Sequence, residues 1–125
     1  MILAPISVGE LFDKISILEI KEKFTDDPDK LKNVKHELEL LRQLRPAAAA
    51  VPSHLFDELK EVNLKLWETE ERIRFLESSK HFGDDFIFCA RLIYATNDQR
   101  AAVKRKINQL TSSEIIEEKI FRSKY

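Results

Sequence analysis

Asn97, Arg100, Lys104 and Asn108 follow one another by threes and fours, so on a helix they stack along one stripe. Two amides and two cations in a row can hold an anion, satisfy a carboxylate on a neighbouring helix, or present hydrogen-bonding groups to a partner. Upstream, the same stripe reads Phe86, Ala90 and Ile93, which is core material. Charge that continues a core face requires a carboxylate, a ligand or a partner to satisfy it. A mirror-image anomaly sits near the start of the chain. Val8, Phe12, Ile15, Glu19 and Glu22 keep helical spacing, which places Glu19 on an apolar row, and Asp13 lies beside Ile17 and Ile20. An unpaired buried carboxylate is very costly. The sequence therefore predicts that the first and fourth helices pack together, with Glu19 beside Arg100 or Lys104. A structural ion pair and a functional cleft both satisfy that pattern.

Other groupings are weaker. Glu10 and Lys14 have the favourable spacing for a surface pair, and Lys14 with Lys21 could hold an anion or simply be solvated. Asn63, Trp67, Glu71 and Arg74 share one shoulder of a helix, which suits either core packing around the single tryptophan or a wall for a stacked ligand. His36, His54 and His81 are scattered without zinc spacing. Carboxylates at E-x-x-E spacing occur at Glu19/Glu22, Glu58/Glu61, Glu68/Glu71 and Glu114/Glu117. The downstream E-x-x-D that helical nucleotide pyrophosphohydrolases add for magnesium is missing. No metal and no cofactor are expected. Cys89 lies among apolar neighbours and reads as a buried thiol. Arg100, Lys104, Arg105 and Lys106 wrap around their helix without interleaved aromatics, so no nucleic acid is expected.

The elements that position these residues are helices. Two glycines and four prolines in 125 residues leave little for hairpins, while Leu, Ile, Glu and Lys are abundant. Ser7-Val-Gly-Glu10 is a capping box that opens a first helix running to Phe24. Asp27 caps a second, with Pro28 at its first position and Leu31, Val34, Leu38 and Leu41 on its core face. Pro46, four alanines, Val51 and Pro52 form a hinge, and helices two and three are expected as an antiparallel hairpin. Ser53 is expected to cap the third helix, with Leu55, Leu59, Val62, Leu66, Ile73 and Leu76 facing the core. After the break at residues 81–85, a fourth helix runs from about Asp85 to Leu110. Phe88, Leu92, Ala95, Val103 and Leu110 form a stripe expected to anchor it. Thr111-Ser-Ser-Glu114 is a second capping-box pattern, predicting a short fifth helix through Ile115, Ile116, Ile120 and Phe121. The fold expected over residues 1–125 is all-α, a single helical bundle of four main helices plus a short C-terminal one.

Bulk properties narrow the setting. Hydrophobic residues at 43% and charged residues at 34% describe a folded chain with a solvated surface, and 125 residues suffice for one core. A formal net charge of −1 gives no pull toward nucleic acid or anionic membranes. One cysteine excludes an intramolecular disulfide, and no apolar run reaches membrane-spanning length. A cytoplasmic protein with no membrane partner is expected.

Two segments, residues 6–21 (ISVGELFDKISILEIK) and 94–108 (YATNDQRAAVKRKIN), together with VNLKLW at 62–67 and Glu70-Glu71, resemble the signatures of a family of small all-helical bacterial and phage proteins of unknown function. The resemblance covers nearly the whole chain and implies no activity. Its recurring polar positions map to Asp13, Lys14, Glu19, Lys21, Asn63, Trp67, Glu71, Arg91, Asn97, Asp98, Arg100 and Lys104, several of which helical geometry had already singled out. A fainter likeness links the first helix to the helical chorismate mutase, which binds a dianion through Arg and Lys. The arginine expected within that helix is absent, and Lys14 and Lys21 are the nearest substitutes.

Three functions fit these residues. The first is a non-catalytic interaction module, with a polar cleft between helices one and four, that joins a protein partner or a second copy of itself. The second is a binder of a small anionic metabolite, with Arg100, Lys104 and Lys14 as anion contacts and Asn97 orienting it. The third is an enzyme acting on such a metabolite, with Glu19 or Asp13 as acid or base.

Overall fold

A computed structural model of the chain describes residues 1–45 and 51–123. Four helices run in the order α1 (Val8–Phe24), α2 (Pro28–Arg42), α3 (Ser53–Ser78) and α4 (Asp84–Leu110). Their starts follow the local chemistry. The Ser7 hydroxyl accepts the Glu10 backbone N–H at 3.0 Å and caps α1. Asp27 accepts from the backbone amides of Asp29 and Lys30, with Pro28 in the first turn of α2. Ser53 is not the cap of α3: Pro52 occupies that position, and no side chain bonds the first turn.

Helices α3 and α4 end alike. Lys80 and Ser112 adopt left-handed backbone, with φ of 57° and 53°. The next amides close back five residues, His81 to the Leu76 carbonyl and Ser113 to the Asn108 carbonyl, both at 2.9 Å. This is the Schellman closure, built without glycine. It explains why Thr111-Ser-Ser-Glu114 opens no fifth helix. The Thr111 hydroxyl donates back to the Ile107 carbonyl, and the Ser113 hydroxyl accepts the Val8 amide at 3.2 Å and donates to the Ile115 carbonyl. The hydroxyls that would start a new helix are spent finishing α4 and holding α1. Residues 115–120 carry no regular structure.

α1 is the central element and packs on each of the other three. Leu11, Phe12, Ile15 and Leu18 meet Leu38 of α2, Leu55 and Leu59 of α3, and Val103 and Ile107 of α4 in one buried cluster. Each such side chain contributes roughly 1.5–3 kcal/mol of burial. α2 packs against α1, and the expected hairpin of helices two and three does not form; α3 pairs with α4 instead. Of the expected hinge, residues 46–50 lie outside the described residues.

The expected anchoring stripe on α4 is also displaced. Phe88 and Leu110 are exposed, and the buried positions are Cys89, Thr96, Val103, Ile107 and Asn108. Spacing near seven puts Cys89, Thr96 and Val103 on one buried stripe, while Arg100, Lys104 and Asn108 bond Asp13, Glu10 and Gly9 of α1. α1 is about 26 Å long and α4 about 40 Å, so the α3–α4 hairpin continues beyond the end of α1.

Candidate functional site

Asp13 is fully buried, 0% exposed, on the face of α1 that meets the α3–α4 hairpin. Its carboxylate is fully engaged. Arg100 Nε donates to Oδ1 at 3.0 Å and to Oδ2 at 3.1 Å, and Arg100 Nη2 donates to Oδ2 at closer range. Asn63 Nδ2 donates to Oδ1 at 2.8 Å, and Lys104 Nζ stands 3.8 Å from Oδ2. Asn63 Nδ2 also donates to the Ser16 hydroxyl at 2.7 Å, and that hydroxyl donates to the Asp13 carbonyl at 2.8 Å. Residues from three helices thus close one polar network inside an apolar bundle. Such a network is favourable only when every member is satisfied.

Arg100 is the member that reaches solvent, its side chain 30% exposed. The hydrogen bond to Asp13 outweighs the opposing effect of burial and, with the charges of Asp13 and Glu10, raises its pKa above the usual value. The guanidinium is permanently charged. Two of its three nitrogens are committed to Asp13, while Nη1 makes only a long, 3.5 Å contact with the Asn97 carbonyl oxygen.

Arg100 also lines a cleft of about 480 Å³ between α1, α3 and α4. Asn63, Asn97 and Arg100 supply its polar groups, Ile17, Ile20, Leu66 and Trp67 its apolar walls, and Lys21, Glu70, Glu71 and Arg74 the remainder of its lining. The Trp67 indole stacks on the Phe24 ring at 5.8 Å and 17°, so the last turn of α1 steadies this wall. A second groove of about 350 Å³ lies across α4, where Asn97, Arg100 and Lys104 meet Lys119 and Phe121 of the C-terminal segment.

Of the twelve expected positions, Lys21, Asn63, Trp67, Glu71, Asn97 and Arg100 line one cleft, with Asp13 directly beneath. The other five do not join them. Glu19 is not beside Arg100 or Lys104. It pairs with Lys60 of α3 at 3.5 Å and Arg42 of α2 at 3.8 Å, because it faces the α2 side of α1. Lys104 bonds Glu10 and lines the second groove. Lys14 pairs with Glu10 at 3.6 Å, Asp98 is paired with Lys119, and Arg91 is exposed and lines neither groove.

Sequence reasoning passed over Ser16, whose signal was a hydroxyl flanked by Ile15 and Ile17, and named Glu70, which pairs with Arg74 at 3.7 Å, only within the family resemblance and not as a site position. It also read the C-terminal segment as a helix and gave Glu117 no contact with the start of α1. Glu117 accepts from the Ser7 hydroxyl and from Asn108 Nδ2, at 3.2 Å for the latter. Burial pushes the Glu117 carboxyl up. The Ser7 bond, a backbone amide, the Lys104 charge and the Asn108 amide outweigh it and hold the group below its ordinary value. Asn108 Oδ1 in turn accepts the Gly9 amide at 2.7 Å. Among the described residues, no group of three or more His, Cys, Asp or Glu side chains is placed to share a metal ion, and no helix is long and apolar enough to cross a membrane.

Over residues 2–124 the sequence matches a family described as a family of unknown function, DUF6165. The chain belongs to that family. Neither a curated protein nor a solved structure matches it. Family membership therefore adds no substrate, and the chemistry of the cleft has to come from its own residues.

Proposed function

We propose that this chain is a non-catalytic binding module of the reducing cytoplasm, and that the α1–α3–α4 cleft receives a small ligand. The observation that carries the reading is the way Arg100 is held in the cleft lining: Nε and Nη2 are fixed on a carboxylate that solvent does not reach, and Nη1 makes only a long contact with Asn97, which lines the same cleft. A fixed donor in a partly apolar cleft is what small-molecule sites use to orient a ligand. The acid–base alternative has less support. Asp13 is sealed and saturated, and Glu19 sits with Lys60 and Arg42 away from the cleft. The small-anion alternative loses its main argument, because Arg100 and Lys104 already face Asp13 and Glu10. Exposed Phe75, Ile87 and Phe88 at the free end of the hairpin favour a protein partner or second copy there, leaving the cleft to a small ligand.

The test is a fragment screen by thermal shift and Trp67 fluorescence on wild type and Asn97→Ala. Binding stabilises by mass action. The expected hits raise the melting point, change the indole emission, and lose at least about tenfold in affinity on Asn97→Ala, a loss of about 1.4 kcal/mol. Hits that act equally on both proteins and leave the indole unchanged would move the binding site elsewhere.

A further inference from the structure

Within that reading, the polar groups of the cleft also select what enters, and we infer that its ligand is an uncharged planar molecule bearing a donor beside an acceptor, the edge of a carboxamide or a heteroaromatic base. Asn63 carries the inference. A carboxylate can only accept, so the amide nitrogen of Asn63 must be the group facing Asp13. That nitrogen is consumed twice, by Asp13 and by Ser16. Its carbonyl oxygen therefore turns the other way, on a residue only 5% exposed that lines the cleft. Among the described residues no protein donor reaches that oxygen, and it is not sealed inside the protein either: the one buried side-chain atom without a partner is Thr96 Oγ1. An acceptor so placed calls for a donor from the ligand.

A matching donor residue lines the same cleft. Asn63 Nδ2 and Arg100 Nε both bond Asp13 Oδ1, at 2.8 and 3.0 Å, so the two side chains converge on one atom, and both residues line the cleft. Arg100 Nη1 presents N–H groups while Asn63 presents a lone pair. A carboxamide satisfies both, its carbonyl accepting from Arg100 and its N–H₂ donating to Asn63. A carboxylate would accept from Arg100 but set its second oxygen against the Asn63 carbonyl oxygen, a lone-pair clash that works as rejection.

Charge points the same way. Lys21, Arg74 and Arg100 at the cleft are balanced by Glu70, Glu71 and the Asp13 beneath, which leaves no net field for an ion. The walls of Ile17, Ile20, Leu66 and Trp67 suit a ring, and about 480 Å³ lies within the usual range for a small-molecule site.

The test titrates the full chain, ¹⁵N-labelled, with benzamide, benzoate and benzamidinium in turn, following the indole N–H of Trp67, the only tryptophan. Benzamide should move that resonance at least about tenfold more tightly than either charged ring, as expected when a polar site is left unpaired by the wrong ligand. Benzoate or benzamidinium binding as tightly as benzamide would overturn the assignment of an uncharged ligand while upholding the cleft as the site. If none of the three moves the indole, and the fragment hits also leave it unmoved, the cleft reading itself falls and this inference with it.

Discussion

Between Gly9 and Ser16, α1 is joined to its neighbours by short polar contacts: Gly9 to Asn108, Glu10 to Lys104, Asp13 to Arg100 and Asn63, Ser16 to Asn63. From Ile17 to Phe24 the same helix is held by an apolar strip, by Glu19 reaching Lys60 and Arg42 at 3.5 and 3.8 Å, and by a ring stack at its end. The cleft opens along this second half. A helix fixed at one end and lightly held at the other sets the cleft floor rigidly while leaving its outer wall room to adjust. The two carboxylates that look equally misplaced in the sequence therefore have different physical roles. Asp13 is a buried anchor whose partners must all be present. Glu19, 15% exposed in its side chain, is a partly hydrated charge with long, exchangeable contacts.

The sharpest way to break this contrast is Arg100→Met. It leaves the Asp13 carboxylate buried with Asn63 and a distant Lys104 as its only support, and removing one partner of a buried pair costs about 3–5 kcal/mol. The melting point should fall by roughly 10 °C or more. A change below about 1 kcal/mol in urea unfolding would show that the carboxylate is not locked, and the anchored half would lose its main support.

Gly9→Ala probes the same half through the backbone. A Cβ at Gly9 would lie 2.6 Å from the Lys104 carbonyl oxygen and 2.9 Å from Asn108 Oδ1, so α1 and α4 would have to separate. Alanine is the better helix former by about 1 kcal/mol, yet overpacking against fixed backbone typically costs about 1–3 kcal/mol. We expect a net loss of about 1 kcal/mol, with faster exchange of the Gly9-side amides of α1. A gain in stability would mean that the two helices are not in tight contact at this point.

Glu19→Gln should have the smallest effect, within about 1 kcal/mol, and the difference from wild type should shrink further in high salt. Denaturation curves at low and high ionic strength measure it. A salt-independent loss comparable to that of Arg100→Met would erase the distinction between the two halves.

Much of this frame is legible in the sequence because it depends on local chemistry. Ser7 and Asp27-Pro28 mark helix starts, and the shoulder Asn63, Trp67, Glu71 and Arg74 lines one cleft as helical spacing implies. What spacing does not reveal is which helix each face meets. Asp13 and Glu19 differ by six residues, which turns them toward different neighbours, and nothing local says that α2 and α3 supply the cations for one and α4 for the other. The pairing of α3 with α4, in place of α2 with α3, is a long-range outcome of the same kind. Likewise the Thr111-Ser-Ser-Glu114 signal is locally sound, but its third residue is claimed by Val8, at the other end of the chain.

The contact between Ser7 and Glu117 spans 110 positions. Closing a loop of that size has a large entropic cost that a single hydrogen bond does not repay. The contact can persist only once α1 and α4 have already brought its two ends together. It should be the last element gained in folding and the first lost in unfolding, so an intact Glu117 contact reports that the rest of the bundle is assembled.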